Sequence, residues 1–195
     1  MKRILLPLML TIATLAYGGE LSSPLQIGDI EGVYKHRFMN GVITPGKAPG
    51  EADQPYQSED IIEIVQYDPS HVYFRAELQF YNGHSCSIYG IAGQEKDGFV
   101  YHDLAPPLAG EPACTLKLSG TADQLHITDR ITPTGVATCR MYCGARGSLS
   151  DYLIARSAKR KIRYLDRLKA SREYLDAVKL FTASKTATTD TAARK

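Results

Sequence analysis

The chain has 195 residues, with 23 basic and 21 acidic side chains, four cysteines, 12 tyrosines and no tryptophan. This length suits one domain with appendages, and the core is large enough to fold without depending on disulfides alone. The sequence contains no nucleophile elbow, phosphate-binding loop, dinucleotide-binding fingerprint or zinc-protease helix, so the enzyme classes that those motifs define are excluded.

Residues 1–18 have the pattern of a secretory signal peptide. Two basic residues precede an apolar run over residues 4–15, which ends at the small-x-small sequence 16–18. The run is too short to span a bilayer comfortably, so cleavage is favoured over an uncleaved membrane anchor. No cysteine follows the cleavage site, so a lipoprotein anchor is not indicated. We expect the mature chain to begin near Gly19 and to be exported to the periplasm of a Gram-negative bacterium.

Residues 19–147 are predicted to form a β-domain. The clearest strand covers residues 71–80, where Val72, Phe74 and Ala76 alternate with polar residues and place apolar side chains on one face. Further strands are predicted at residues 30–38, 60–67, 85–92, 98–103, 114–119 and 124–128, with another candidate at 136–141. About seven or eight short strands separated by turn residues favour an antiparallel barrel or sandwich of meander type.

Residues 44–58 are rich in proline and glycine and lack a periodic apolar pattern. We therefore expect an exposed loop. A solvated connection is favoured over a binding loop, because most surface loops only join the elements beside them.

Residues 148–181 are predicted to form a basic helix. Ser148 can cap its start, and Asp151 falls in the first turn beside the positive end of the helix dipole. A break near Ser157 would divide this helix into a short and a long piece. Its apolar stripe contains Ile162, Leu165, Leu168, Leu175 and Val178. The remaining residues, 182–195, are mostly Thr, Ala, Ser and Lys and are predicted to be disordered.

The charge is divided between these two parts of the chain. Residues 19–147 hold 9 basic and 16 acidic residues, a net charge of −7, whereas residues 148–195 hold 12 basic and 5 acidic residues, a net charge of +7. The basic helix could dock on the acidic domain, bind anionic lipid or bind nucleic acid. Docking is favoured because the charges are complementary and the apolar stripe needs a cover. Nucleic acid is disfavoured, because exported proteins seldom meet it.

The four cysteines, Cys86, Cys114, Cys139 and Cys143, are predicted to form two disulfides in an oxidising compartment. Of the three pairings, we favour Cys86 with Cys114 and Cys139 with Cys143. The first would close a loop of 28 residues, which stabilises by about 3.5 kcal/mol in the chain-entropy model. The second would mainly shape a turn. A zinc site is the alternative, but the cysteine spacing is loose for zinc.

The five histidines show no metal-ligand spacing. His84 and His102 could approach one another near Asp103, but no serine or cysteine nucleophile lies at a recognisable distance in the sequence. We predict no catalytic residue, metal or cofactor. Tyrosines on the exposed faces of strands are suited to protein interfaces, because they offer a large contact area at low entropic cost.

The central third of the chain carries a distinctive set of short motifs. They are Asn82-Gly83-His84-x-Cys86, Gly90-Ile91-Ala92, Tyr101, Cys114-x-Leu116-x-Leu118 and Cys139-x3-Cys143-Gly144-Ala145-Arg146-Gly147. With these motifs, residues 82–147 resemble small exported bacterial domains associated with lysozyme inhibitors, including the LprI-type proteins. The resemblance implies a periplasmic β-domain that binds and blocks a cell-wall hydrolase, or an immunity protein of that kind.

The sequence also departs from the lysozyme inhibitors that it resembles. Inhibitors of c-type lysozymes insert a Ser-Gly-rich segment with a Lys-Tyr pair into the lysozyme cleft. Here Leu118-Ser119-Gly120-Thr121 shares only the Ser-Gly, and the basic C-terminal helix has no counterpart. The inhibitory residues are therefore not transferred to this chain.

We predict a non-enzymatic binding protein that inhibits, or gives immunity against, a lysozyme-like cell-wall hydrolase by blocking its cleft. The predicted contacts are Asn82, His84, Tyr101, His102 and Arg146, with the loop at residues 44–58. The acidic domain would face a basic hydrolase. One alternative is an envelope-associated protein whose basic helix binds the lipid surface. Another is a hydrolase with an unrecognised site.

Overall fold

Nine antiparallel strands form one continuous sheet in the computed structural model of the protein. The structure describes residues 25–43, 45–46, 48, 54–107 and 109–193, so the predicted signal peptide lies outside the described residues. The strands are β1 (Gly32–Val42), β2 (Gln54–Asp68), β3 (His71–Gln79), β4 (Ser85–Glu95), β5 (Gly98–His102), β6 (Thr115–Gly120), β7 (Gln124–Thr128), β8 (Tyr152–Ala155) and β9 (Lys159–Arg160). The helices in this part of the chain are α1 (Ile27–Ile30), α2 (Leu165–Lys169) and α3 (Arg172–Ala193).

The sheet curls into a nearly closed barrel. Its strand order is β8-β7-β6-β5-β4-β3-β2-β1-β9. Strands β1 to β8 thus follow one another in sequence order, and β9 pairs with β1 at the opposite edge from β8. The two outermost strands, β8 and β9, are separated in sequence only by a short turn, Arg156–Ala158, and therefore lie close together. The prediction of a mainly β antiparallel fold with disulfides and a C-terminal helix is confirmed, with nine strands instead of seven or eight.

The barrel interior holds an apolar core. In β3, the alternation predicted from the sequence places Val72, Phe74 and Ala76 in this core, where all three are fully buried. Leu78 of β3 also lies in this core, and the other strands and α1 add Ile30, Tyr34, Ile62, Ile64, Ile88, Phe99, Leu116, Leu118, Leu125 and Ile127. The hydroxyl of Tyr34 donates a hydrogen bond to the Ile30 carbonyl at 3.0 Å, which attaches α1 to this core.

A second apolar core lies outside the barrel, where α2 and α3 cover the outer face of the sheet. Leu168 of α2 and Ala177 of α3 are buried there against Val33, Tyr73 and Ile91 of the strands. The rings of Tyr73 and Tyr174 lie 4.8 Å apart between centroids. The interpretation that the C-terminal segment docks on the β-domain is thereby confirmed.

Two leucines of the predicted stripe do not take part in this docking. Leu165 and Leu175 are 36% and 55% exposed. A break was predicted near Ser157, but the break between the helices lies later, where α2 ends at Lys169 and α3 begins at Arg172, and it changes the direction of the stripe. In α3, Leu175 is rotated by about 100° from the inward-facing Tyr174, because successive helical residues differ by that angle.

The segment 148–181 is not helical from its start, which corrects the predicted domain boundary at residue 147. Asp151 has a φ of 56°, a left-handed conformation that no α-helix accommodates. Strand β8 follows it and pairs with β7, with Ile154 opposite Leu125 in the barrel interior. Burial and sheet pairing thus outweigh the local helical pattern. At the other end, α3 continues to Ala193, where a disordered tail was predicted.

Two further local predictions are also changed. The candidate strand at 136–141 is irregular chain that leads into a short 3-10 helix, Arg140–Tyr142. Of the predicted loop at residues 44–58, seven residues lie outside the described residues, and the last five, from Gln54, belong to strand β2 instead of a loop. In the described part of the chain, no helix has both the length and the apolar character needed to span a membrane.

Candidate functional site

All four cysteines form disulfides, but the predicted pairing is wrong. The bonds join Cys86 to Cys143 and Cys114 to Cys139. They close loops of 57 and 25 residues in sequence separation. Neither bond is the short Cys139–Cys143 link, because these two cysteines flank a 3-10 helix and are directed to different parts of the sheet.

Backbone pairing explains why Cys143 reaches Cys86. The two residues form an isolated antiparallel bridge, and the Gly144 amide donates to the Ser85 carbonyl at 2.8 Å. Gly147 then passes directly over the disulfide, where an added Cβ would lie 2.8 Å from the Cys86 sulfur. The Gly144 and Gly147 of the sequence motif are therefore required by close approach to β4 and its neighbouring turn.

Hydrogen bonds of one buried threonine align the second disulfide. The Thr115 amide donates to the hydroxyl of Thr138, and that hydroxyl donates to the carbonyls of Thr115 and Asp129. Residue 138 is thus held beside residue 115, which places Cys139 beside Cys114. The Cys139 amide completes the arrangement by donating to the Asp129 carboxylate at 2.9 Å.

Three of the five predicted contact residues lie together at one end of the barrel. We call residues 82–86 and 143–147, joined by the Cys86–Cys143 bond, the disulfide-linked tip. Asn82 adopts a left-handed φ of 63°, and its side-chain oxygen accepts a hydrogen bond from the Ile43 amide at the end of β1. His84 packs beside Gly144, and Arg146 is exposed.

Tyr101 is not a surface contact, which corrects its predicted role. It is only 8% exposed, and its ring occupies the space that the missing side chain of Gly90 leaves. Its hydroxyl donates to the Asp103 carboxylate, and burial followed by the nearby Asp103 charge raises the pKa of Tyr101 well above its ordinary value. His102 is exposed on the other face of β5 and lies 3.7 Å from Glu95, away from the tip.

Asp103 connects the tip to the strands and was not among the predicted contacts. It accepts hydrogen bonds from Tyr101 and, at 2.5 Å, from the hydroxyl of Tyr142. Tyr142 directly precedes Cys143, so this contact fixes the 3-10 helix that leads into the tip. Met141, in the same turn, is 42% exposed. The Cys139-x3-Cys143 spacing marked this turn in the sequence, but it did not show which side chain faces outwards.

Three buried carboxylates could be mistaken for a catalytic centre. Asp60 accepts hydrogen bonds from the Gln79 amide and the Tyr152 hydroxyl. Glu63 accepts from Arg75 and from the Tyr164 hydroxyl, and Asp129 from Cys139 and Ser150. Each carboxylate is thus satisfied by fixed protein donors, which indicates a structural role. Among the described residues, no three His, Cys, Asp or Glu side chains are grouped so that they could hold a metal ion.

The outward side of the docked C-terminal segment is basic. Seven exposed cations lie along it, namely Arg160, Lys161, Arg163, Arg167, Lys169, Arg172 and Lys179, and Leu165 and Leu175 are exposed there as well. We call these nine residues the basic patch. Lys185 is also exposed, but it lies beside Asp68 and over the Phe181 ring.

Comparisons of this chain with protein-family models, with curated proteins and with solved structures found no match. The class of protein therefore follows from the fold and the disulfides alone. It is a nearly closed antiparallel β-barrel with a docked C-terminal helix and two disulfides. Disulfides of this kind indicate an oxidising environment outside the cytoplasm.

Proposed function

We propose that this protein is a non-enzymatic periplasmic binding protein that inhibits a lysozyme-like cell-wall hydrolase, or gives immunity against one. The observation that carries the proposal is the disulfide-linked tip. Two segments that are 57 residues apart at Cys86 and Cys143 are locked into one surface by a covalent bond. A surface that is rigid before binding loses little conformational entropy in a complex, which favours affinity.

The side chains of the tip are suited to entering an enzyme cleft. Arg146 is exposed in the tip, and Met141 is exposed in the 3-10 helix that leads into it. Arginine and methionine are enriched at protein interfaces. Glycoside hydrolases cleave with a pair of carboxylates in their cleft, and an arginine that enters there can pair with one of them. Inhibition would then be steric and electrostatic, with Asn82 and His84 supporting the turn.

The charge of the β-domain supports a basic target. Residues 19–160, which include β8 and β9, carry 12 basic and 17 acidic side chains, a net charge of −5. Opposite net charges accelerate the association of two proteins, and salt weakens the effect. An inhibitor of this design would therefore bind a basic hydrolase faster at low salt than at physiological salt.

The proposal is tested with a c-type lysozyme and a suspension of bacterial cell walls. The wild-type protein should slow the clearing of the suspension, and Arg146→Glu should weaken inhibition by about tenfold or more, as expected for loss of a charge-assisted hydrogen bond. Arg163→Glu, which changes an exposed arginine of the basic patch, is the matched control and should inhibit normally. Equal inhibition by both variants, or none by the wild type, would contradict the proposal.

A second candidate function rests on the basic patch. Exposed leucines among seven cations are suited to a membrane surface that contains anionic lipid. In this case the protein should float with phosphatidylglycerol vesicles and remain unbound with phosphatidylcholine vesicles. Arg163→Glu with Lys169→Glu should then abolish flotation, whereas Arg146→Glu should leave it unchanged. The two sets of variants therefore separate the two functions.

A further inference from the structure

A cavity lies where two neighbouring strands of the barrel separate. Strands β4 and β5 pair only from Gly93, opposite Val100, to Glu95, opposite Gly98. Beyond Gly93 the two strands diverge, and a half-open space of about 270 Å³ remains beside them on the outer side of the sheet. Divergence of paired strands thus creates a concave site in a sheet that is otherwise continuous.

The helix α3 covers this cavity with apolar side chains. Leu180 and Phe181 face Tyr89 and Ile91 of β4 across the space, and Leu104 lies at its edge. An engineered apolar cavity of about 150 Å³ admits benzene and stays free of water. The present cavity has room for an apolar group nearly twice that size, such as a naphthyl ring or a medium-length alkyl chain.

One imidazole gives the cavity a polar group of defined orientation. His71 Nδ1 lies 2.7 Å from the Asp68 carboxylate, and its ring packs against Phe181. Since an ionised carboxylate only accepts hydrogen bonds, Nδ1 carries the proton and Nε2 of the neutral ring is an acceptor. An added Cβ on Gly93, another lining residue, would lie 3.5 Å from Nε2. Among the described residues, no hydrogen-bond partner contacts Nε2.

The other ionisable groups near the cavity are two carboxylates, each with a basic partner, and the ammonium of Lys185 also lies 4.4 Å from the centroid of the Phe181 ring. Glu95 lines the opening 3.7 Å from His102, and Asp68 lies behind His71, 3.9 Å from the ammonium of Lys185. Burial acts to raise the pKa of Asp68, but the hydrogen bonds from His71 and Ser70 outweigh burial and hold this pKa below its ordinary value. The carboxyl is therefore ionised at neutral pH. Because both carboxylates already have basic partners, the acceptor nitrogen of His71 decides the preference of the cavity, and it favours a ligand group that donates a hydrogen bond.

We propose that this cavity binds a small amphiphile whose apolar body lies between α3 and β4 and whose amine or hydroxyl head donates a hydrogen bond to His71 Nε2. The site is separate from the disulfide-linked tip. It does not depend on the function proposed above, and either can fail alone.

The first experiment uses the absence of tryptophan in the chain. In the disulfide-bonded full chain, Leu180→Trp places a single tryptophan at the cavity, and Leu175→Trp places one on the same helix but outside the cavity. Titration with n-decylamine, below its micelle concentration, should shift the emission of the first variant in a saturable manner and leave the second unchanged. Equal responses of the two variants, or no response, would overturn the proposal.

The second experiment compares head groups on one alkyl chain. Because an acceptor nitrogen binds a donor and repels a carboxylate, n-decylamine and n-decanol should each bind about tenfold more tightly than decanoate, the difference expected for one hydrogen bond. His71→Phe keeps the ring that contacts Phe181 but removes the acceptor, and it should abolish this preference. An unchanged preference in His71→Phe, or tighter binding of decanoate to the wild type, would overturn the proposed orientation.

The third experiment fills the cavity. Gly93→Val adds a side chain that strands accommodate well, and it should abolish binding of N-phenylnaphthylamine, a neutral fluorescent amine. Ser87→Val, on the same strand and the same face but outside the cavity, is the matched control and should bind normally. Unaltered binding by Gly93→Val with a normal thermal melt would overturn the proposal. If Gly93→Val does not fold, the paired tryptophan variants decide the question.

Discussion

The two faces of β3 show how differently this protein stabilises its two cores. Towards the barrel interior, Phe74 and its neighbours are apolar and are enclosed by strands on all sides. Towards α3, Tyr73 and Arg75 are covered by a single layer of helix, and polar groups are buried among the apolar ones. Apolar contacts dominate the interior, together with the disulfides and a few hydroxyls bonded to nearby acceptors. The outer core also buries charge, such as that of Glu63, which must be placed beside a partner.

The largest expected effect is loss of the outer cover. A chain that ends after Arg163 keeps β8 and β9 but removes α2 and α3. It would expose Val65 and Tyr73, whose burial is worth about 1.5–3 kcal/mol per side chain, together with their apolar neighbours. We expect a strongly lowered melting temperature or aggregation, measured by thermal unfolding and size-exclusion chromatography. A chain that ends after Thr186 is the control and should melt close to the full chain, and equal melting of all three proteins would contradict the docking.

A single interior substitution should cost nearly as much. Phe74→Ala removes a fully buried ring that packs edge-on against Tyr101 at 5.3 Å. The free energy of unfolding should fall by about 3–5 kcal/mol, because the closed barrel cannot collapse around the space that remains. Denaturant unfolding measures this loss. A loss below that of Leu168→Ala in the outer core would contradict the distinction between the two cores.

In the outer core, the hydroxyl of Tyr164 should contribute strongly to the free energy of unfolding. Tyr164 donates a hydrogen bond to Glu63, a carboxylate that is 1% exposed. Tyr164→Phe should lower the free energy of unfolding by about 1.5–3 kcal/mol, as for hydrogen bonds to charged groups. Tyr174→Phe is the control, because the Tyr174 hydroxyl has no hydrogen bond in the described part of the chain. It should change the free energy of unfolding little. Similar losses in the two variants would show that the Glu63 contact has no special value.

The same hydroxyl also predicts a dependence on pH. Burial, and then the hydrogen bond to Glu63, raises the pKa of Tyr164 to about 12. Because the folded pKa exceeds the ordinary value of about 10, the protonated phenol stabilises the fold below pH 10 and this contribution is lost as the pH rises through 12. Wild-type stability should therefore fall more steeply above pH 10 than that of Tyr164→Phe.

The smallest predicted effect has the opposite sign. The Tyr73 hydroxyl is buried beneath α3 and, among the described residues, has no hydrogen-bond partner. Burial also raises the pKa of Tyr73 well above its ordinary value. Tyr73→Phe removes an unsatisfied polar group and should raise the free energy of unfolding by about 1 kcal/mol. A destabilised Tyr73→Phe would mean that the hydroxyl has a partner in solution, and Tyr101→Phe, which removes a satisfied hydroxyl, should be destabilised.

The period of two in residues 71–80 was sufficient to predict the interior core, because alternation on a strand depends only on local geometry. The same alternation predicts that the opposite face, which includes Tyr73, is exposed to water, and this is wrong because α3, far later in the chain, covers Tyr73. The charge division between the two parts indicated docking correctly. Even so, apolar contacts hold the helix in place, and only a few ion pairs, such as Lys185 with Asp68 at 3.9 Å, join the two parts.

The disulfides separate the two sources of information most clearly. Two disulfides could be predicted from four cysteines and a signal-peptide pattern without any knowledge of the fold, because cysteine oxidation depends on the compartment. The partners were decided by tertiary structure alone. Cys143 bonds to Cys86 because backbone pairing places them side by side, although Cys139 is far nearer in the sequence. Local patterns determined strands β1 to β7 and the number of disulfides. Strands β8 and β9, the disulfide-linked tip, the buried Tyr101 and the cavity beside Gly93 arise from contacts between distant residues, which no local pattern encodes.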